Sequence, residues 1–299
     1  MFVISGYFAV TAALDRSGDQ PEEEVEHRYL RSEEGVIITP PDLASDEVRE
    51  DAENIEDTDP TERETKEEIL TLDPVLFEYI EVIDSCDHNF EGDCLNVRSG
   101  PGEDFPVVDQ LRTNVVLKVG GEVERDGRTW YKIVFDEWIR YPERVTSDWY
   151  VAADFVDVLL DEGVINISPE NKPDPDKRIV VSRSDQTLHA YEDGELFMEE
   201  DISTGLELTP TPRGTFTIFR KTPSRYMQGP IPGVSSRHWD LPGVPWNLYF
   251  THQGAVIHGT YWHDDFGSQA SAGCVNIVPD RARELYYWAE IGTTVVVRD

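Results

Sequence analysis

From Cys94 to Leu160 apolar residues alternate with polar ones in short runs separated by turn residues. LNVR (95–98), PVVDQL (106–111), TWYKI (129–133) and WYVAADFVDVLL (149–160) each read as a strand with one buried face. Ser99-Gly100-Pro101-Gly102, Gly120-Gly121 and Asp126-Gly127 supply the turns between them. Short strands at this spacing predict a small all-β barrel, in which Trp130 and Trp149 serve as core. The pattern returns after Arg178. RIVVSRSDQTLHAYEDGELFMEEDIST alternates about Glu192-Asp193-Gly194, GTFTIFRKT has a β-like mix of threonines and aromatics, and WNLYFTHQGAVIHGTY gives two strands about Gln253-Gly254. One helix is predicted over PDRARELYYWAEI: Pro279 suits its first turn, Leu285, Tyr286 and Ala289 repeat at helical spacing, and Gly292 ends it. TTVVVRD closes the chain as a strand. The expected fold class is mainly β, a small barrel followed by a β-rich domain with one late helix.

Between these regions the pattern fails in informative ways. Residues 15–75 form charge runs with little apolar periodicity, which cannot bury enough surface to offset their ordering entropy; they read as a disordered acidic tether, with a short helix near Thr61–Leu72 as its one candidate element. Residues 162–177, ending in SPENKPDPDK, read as a semi-rigid linker because of their three prolines. The expected units are therefore a segment at 1–14, the tether at 15–75, the barrel at 84–161, the linker at 162–177 and the last domain at 178–299. A Pro- and Gly-rich insert from Thr222 to Pro245 reads as a loop over the cleft of that domain, a candidate lid.

Charge narrows the function. The 299-residue chain carries a net charge of −34, and 22 acids against 6 bases fall between Asp15 and Pro74. Such a chain repels phosphate, so nucleic acid is excluded as a partner, as is adsorption to anionic lipid. FVISGYFAVTAAL (2–14) is apolar and uncharged, too short to span a bilayer but suited to a signal-peptide core. The expected location is outside the cytoplasm, in the cell wall or on the outer membrane face, with a membrane contact only through that N-terminal segment. Cys86 and Cys94 are spaced to close a small loop by a disulfide in an oxidising compartment, which leaves Cys274 over.

Cys274 ends the stretch HGTYWHDDFGSQASAGC (258–274). A free thiol of pKa about 8.5 is only ~3% thiolate at neutral pH, so a nucleophilic role needs an activating neighbour, and His258 is the candidate base. Gly259 and Gly273 permit close backbone approach, and N–H groups around Cys274 offer an oxyanion hole. Two other readings stand beside this one: a zinc site drawing on His258, His263, Asp264, Asp265 and Cys274, although His-x4-His lacks the HExxH register, and a buried structural thiol.

Two sets of motifs carry family resemblances. LNVRSGPG (95–102), PVVDQL, TWYKI and WYVAADFV resemble a bacterial SH3-like domain, apart from a longer insert, FDEWIRYPERVTS (135–147), before the last strand. Arg178–Asp299 resembles an L,D-transpeptidase catalytic domain of the YkuD type through IVVSRSDQTLHAYEDGE, STG (203–205), TPRGTF (211–216), IHGTYW (257–262), SAGCVN (271–276) and the final GTTVVV. The resemblance implies that Cys274 is the nucleophile and His258 its base, with the Gly259 carbonyl orienting the imidazole. It places Trp262, Asn276, Gly273 and Ser271 near the substrate, a peptidoglycan stem peptide, and calls for no metal or organic cofactor. The order His258 before Cys274 argues against papain-like wall endopeptidases, in which the Cys comes first. The pattern departs at Ala272, where the family reads His, which suggests a catalytically weak or inactive wall-binding protein as one alternative; an L,D-carboxypeptidase, with water in place of an amine acceptor, is another.

Overall fold

A computed structural model describes residues 75–168, 176–233 and 235–299. The segment at 1–14, the helix near 61–72 and nearly all of the tether lie outside the described residues. The alternating runs become β1 (Phe77–Val82), β2 (Leu95–Arg98), β3 (Val107–Leu111), β4 (Val116–Arg125), β5 (Arg128–Ile133), β6 (Trp149–Ala152) and β7 (Val156–Asp161). They form one antiparallel sheet in the order β3-β2-β6-β5-β4-β1-β7, so β3 and β7 are its edges. Inward-facing Val97, Leu111, Leu117, Ile133 and Val151 form its core, and Trp130 and Trp149 are buried. A disulfide joins Cys86 to Cys94 just ahead of β2.

This sheet starts earlier than the turn signals suggested. β1 lies before residue 84 and pairs with both β4 and β7, so Phe77–Val82 belongs to the barrel region. The segment read as a linker also contributes a strand, β8 (Ile165–Asn166), which pairs with a strand of the C-terminal region. Two residues are too few to leave a periodic signal.

Beyond it come β9 (Lys177–Ser182), β10 (Thr187–Glu192), β11 (Glu195–Asp201), β12 (Gly214–Thr217), β13 (Arg220–Ile231), β14 (Ser235–Tyr249), β15 (Val256–Gly259), β16 (Val275–Ile277), helix α1 (Pro279–Trp288) and β17 (Thr294–Arg298). One sheet runs β11-β10-β9-β17-β12 and the other β16-β15-β14-β13-β8. Helix α1 has Pro at its start, as expected, and buries Ala282, Leu285 and Tyr286.

The insert at 222–245 corrects the expectation of a loop: it is a long β-hairpin, β13–β14. Its glycines and prolines cluster where the ladder is irregular, with register shifts between Arg225 and Met227 and between Gly229 and Ile231. The barrel region supplies what the hairpin's own sequence lacks. Met227, Val244 and Tyr261 join the barrel core, while Tyr79 and Val116 of the barrel join the C-terminal core. Ser224 Oγ donates to Val116 O at 2.6 Å, and Gly243, at φ +61°, approaches the same carbonyl so closely that a Cβ would collide with it.

Candidate active site

Parallel strands β15 and β16 bring the two reactive side chains together. Their register sets Ile257 against Val275 and His258 against Asn276. Cys274, one residue before β16, therefore falls beside Val256, one diagonal step from His258. Both strands are buried throughout, whereas Cys274 at the mouth is partly exposed.

The imidazole of His258 is fixed by its own strand end. Nδ1 lies 2.9 Å from the Gly259 carbonyl, which can only accept, so Nδ1 carries the proton and Nε2 holds the lone pair. Burial pulls the imidazole pKa down to about 4, the Gly259 bond opposes that fall, and Arg225 and His263 add to it. Gly259 is required here for space, because a Cβ would press on Pro245, Pro279 and Ala282. The Cys274 thiol is pushed above its ordinary value by burial, opposed by the Arg225 guanidinium and by the backbone at Val256. It donates to Gly254 O at 3.8 Å and makes no hydrogen bond to His258. Both groups are thus neutral at pH 7, and no charge attraction draws the thiol onto the ring.

The loop before Cys274 is held from below by Ser203, Gly205 and Thr211, which motif reading quoted but gave no role, and by Ser271 and Asn276, which it placed near the substrate. Ser203 N donates to Asn276 O and Asn276 N to Ser203 O, at 2.9 and 2.8 Å. Thr211 Oγ1 donates to Cys274 O at 3.3 Å and accepts from Gly205 N at 2.9 Å. A Cβ on Gly205 would meet Thr209 O, Thr211 N and Gly273 Cα, so only glycine fits under the loop. Ser271 Oγ donates to Cys274 O at 2.6 Å and accepts from Gly273 N at 3.1 Å. That last bond takes one of the N–H groups expected to serve an oxyanion hole.

Trp262 and Asn276 also reach the site. The Trp262 ring is 5.6 Å from that of His258. Asn276 is buried, with its amide 2.8 Å from His263 Nε2. His263 Nδ1 accepts from Asp265 N at 3.1 Å, and the Asn276 atom that faces His263 Nε2 is Nδ2. Asn276 Oδ1 is buried with no hydrogen-bond partner among the described residues. Ala272 is exposed, as is His252, whose ring lies tilted against Phe219 with centroids 4.3 Å apart. The ligands of the zinc reading disperse: His263 turns to Asn276 and Asp264 to His88, and no group of three ligating residues is present among the described residues.

Sequence reasoning missed one flank entirely. Arg220 and Arg225 of β13 hold their guanidinium carbons 5.1 and 5.3 Å from the centroid of the Tyr249 ring, next to Cys274. Glu137, from the insert in the barrel region, accepts the Tyr226 backbone N–H and faces both arginines; burial pushes its carboxyl up to about 7. No local pattern links position 137 to position 225. A separate cavity of 420 Å³ lies between the barrel region and β14, lined by Val108, Arg112, Leu241 and Tyr261, and neither His258 nor Cys274 lines it.

Residues 176–297 match the family model of the YkuD L,D-transpeptidase catalytic domain, and residues 93–157 that of the bacterial SH3 domain. YkuD of Bacillus licheniformis, named as an L,D-transpeptidase, is 31% identical over 123 residues. That match covers 40% of this chain and 64% of the relative, so the chain spans just under two thirds of the relative's length. Among solved structures, a mutant L,D-transpeptidase of Enterococcus faecium is 29% identical, with 41% of this chain and 50% of that one covered at a TM-score of 0.38. An L,D-transpeptidase from Mycobacterium smegmatis is 21% identical, with 60% and 93% covered at a TM-score of 0.40. Residues 176–297 are thus similar to a YkuD-type L,D-transpeptidase catalytic domain and residues 93–157 to a bacterial SH3 domain.

Proposed function

We propose that the protein is a peptidoglycan L,D-transpeptidase that works through a thioester on Cys274. The observation that carries this reading is the bond between His258 Nδ1 and Gly259 O, which leaves Nε2 as a base within one diagonal step of the thiol. Cys274 leaves Gly254 O and rotates to Nε2, which takes the thiol proton as sulfur attacks the carbonyl of the third stem residue. The carbon–sulfur bond forms, the carbonyl becomes a tetrahedral oxyanion, and collapse expels the following D-amino acid as an amine that recovers the proton from His258. An amine acceptor then takes the acyl group and gives a cross-link; water gives a shortened stem and an L,D-carboxypeptidase outcome.

Starting from a neutral pair suits this sequence. A buried thiolate–imidazolium pair would have to be desolvated before substrate arrived, whereas here charge develops only as the reaction proceeds. The chain's acidity and the Cys86–Cys94 disulfide support an exported protein that meets the cell wall, with stem peptides as its partner. No helix among the described residues is long and apolar enough to cross a membrane.

The test is intact mass after incubation with a carbapenem, an acylating mimic of the stem peptide bond. A single adduct on Cys274, absent in Cys274→Ala, is expected. A folded protein with a reduced thiol and no adduct over hours would favour the reading as an inactive wall-binding module.

A further inference from the structure

Arginine and lysine are scarce in this chain, 26 against 60 acids, and about half of the described ones form ion pairs with carboxylates. Arg125 pairs with Asp104, Arg128 with Glu103 and Asp154, Arg144 with Asp240, and Arg281 with Glu200 and Glu284. Arg220 and Arg225 are among those that do not, and they lie beside Cys274. Neither forms an ion pair among the described residues, and Arg220 Nε is buried with no acceptor. Both guanidinium groups are held over the same ring, Tyr249, and the Arg225 charge acts on Cys274 and on His258. In so acidic a protein, two unpaired arginines beside a reactive thiol form an electrostatic hole that a substrate anion would fill.

The surrounding residues keep it open. Glu137 is the carboxylate that faces both arginines, but it is held by the Tyr226 N–H and does not come within ion-pair distance of either. Tyr249 forms an apolar floor, buried to 9% exposure, which limits the water available to screen the charge. A guanidinium presents parallel N–H groups that fit the two oxygens of a carboxylate.

We propose that Arg225, assisted by Arg220, is a specificity-determining residue that binds a carboxylate of the substrate next to the bond Cys274 attacks. This rests on the proposed transpeptidase reading and deepens it. The stem offers two carboxylates near that bond: the terminus of the leaving D-amino acid and the side-chain carboxyl of a diamino diacid in third place. They share the same chemistry, and synthetic peptides separate them.

The test measures binding to the full chain carrying Cys274→Ala, so that no turnover intervenes. Four tetrapeptides are titrated: the parent, its C-terminal amide, its third-residue amide and the double amide. The parent is expected to bind about tenfold or more tightly than one of the two single amides, which identifies the carboxylate that is read. Adding Arg225→Gln should remove that preference while leaving the affinity for the double amide unchanged, and Arg225→Lys should restore part of it. An undiminished preference in a folded Arg225→Gln variant overturns the proposal, as does equal binding of all four peptides. Carbapenem acylation of the wild-type chain is read in parallel. If that adduct forms while the peptides bind equally, the carboxylate subsite fails and the transpeptidase reading stands; if no adduct forms and no peptide binds, both fail.

Discussion

The cleft has two flanks, and they are made by different means. On one, His258 and Cys274 lie 16 residues apart in sequence and on adjacent strands, and every residue that holds them comes from the same domain: Ser203, Gly205, Thr211 and Ser271. On the other, the β13–β14 hairpin is held by a region more than 80 residues away. Tyr141 N donates to Gln228 Oε1 at 2.7 Å and Tyr141 Oη to Pro230 O at 2.6 Å, while Arg144 reaches Gly229 O and Asp240. Phe135, Trp149 and Tyr226 cluster with ring centroids 5.1 to 6.2 Å apart. The first flank is tied to particular residue types at particular spacings. The attachment of the second to the barrel region needs only complementary shape and matched hydrogen bonds, which many sequences can supply, whereas the arginines it presents to the cleft are particular residues.

The contrast can be broken at its strongest point by Tyr226→Ala. Removing this ring should cost about 3 kcal/mol of stability, since it is buried between Phe135 and Trp149. Thermal unfolding checks the loss. Carbapenem acylation below the new melting point should fall as well, because the same strand carries Arg225; undisturbed acylation would show that the flanks are independent.

Glu137→Gln tests the same flank through pH. The wild-type carboxyl titrates near 7 when folded against 4.5 when unfolded, so the folded state holds the extra proton between those values. Wild-type stability therefore falls as pH rises from about 4.5 to about 7, then levels off. Gln keeps an acceptor for Tyr226 N–H and removes the titration, so the variant should be more stable above pH 7 by ~2 kcal/mol and should lack that part of the slope. Denaturant unfolding at pH 5 and pH 8 decides it.

On the chemical flank, His258 is neutral above about pH 4, so acylation by a carbapenem should not fall between pH 7 and pH 5 and should drop about tenfold between pH 5 and pH 3. A limb near pH 6 to 7 would instead reveal an ordinary, solvated histidine. The smallest effect belongs to Ala272→His. Position 272 is exposed and His263 already occupies the space at Asn276, so acylation should change within about twofold. A larger gain would mean that the family's histidine supports the thiolate in a way the present loop does not.

What could be read from the sequence follows the same division. The alternation of RIVVS, TLHAYE and TTVVV, and the helix from Pro279, were legible because each buries one face and is bounded by its own turn or cap. His258, Gly259 and Cys274 stood out in the sequence through IHGTYW and SAGCVN, and their adjacency follows from the pairing of β15 with β16. The hairpin was not. Its prolines at 223, 230, 232, 242 and 245 gave a loop signal, and partners that hold it as a strand are in the barrel region. Arg225 and Glu137 carry no motif of their own, and their meaning appears only when β13 and the 135–147 insert are seen together. Position 84 failed as a boundary for a related reason: Phe77–Val82 gains its partners from β4 and β7, both far downstream.

The exchange of residues between the two cores bears on how the protein could be cut. Tyr79 and Val116 lie in the C-terminal core, and Met227, Val244 and Tyr261 in the barrel core, so the covalent connection at 162–177 is not what joins the halves. Expressed as two polypeptides divided within that segment, each half would expose the apolar sockets the other fills. The halves would be poorly soluble apart and would assemble on mixing into a nicked whole, so the smallest fragment with a complete C-terminal core begins at β1 and not at Arg178.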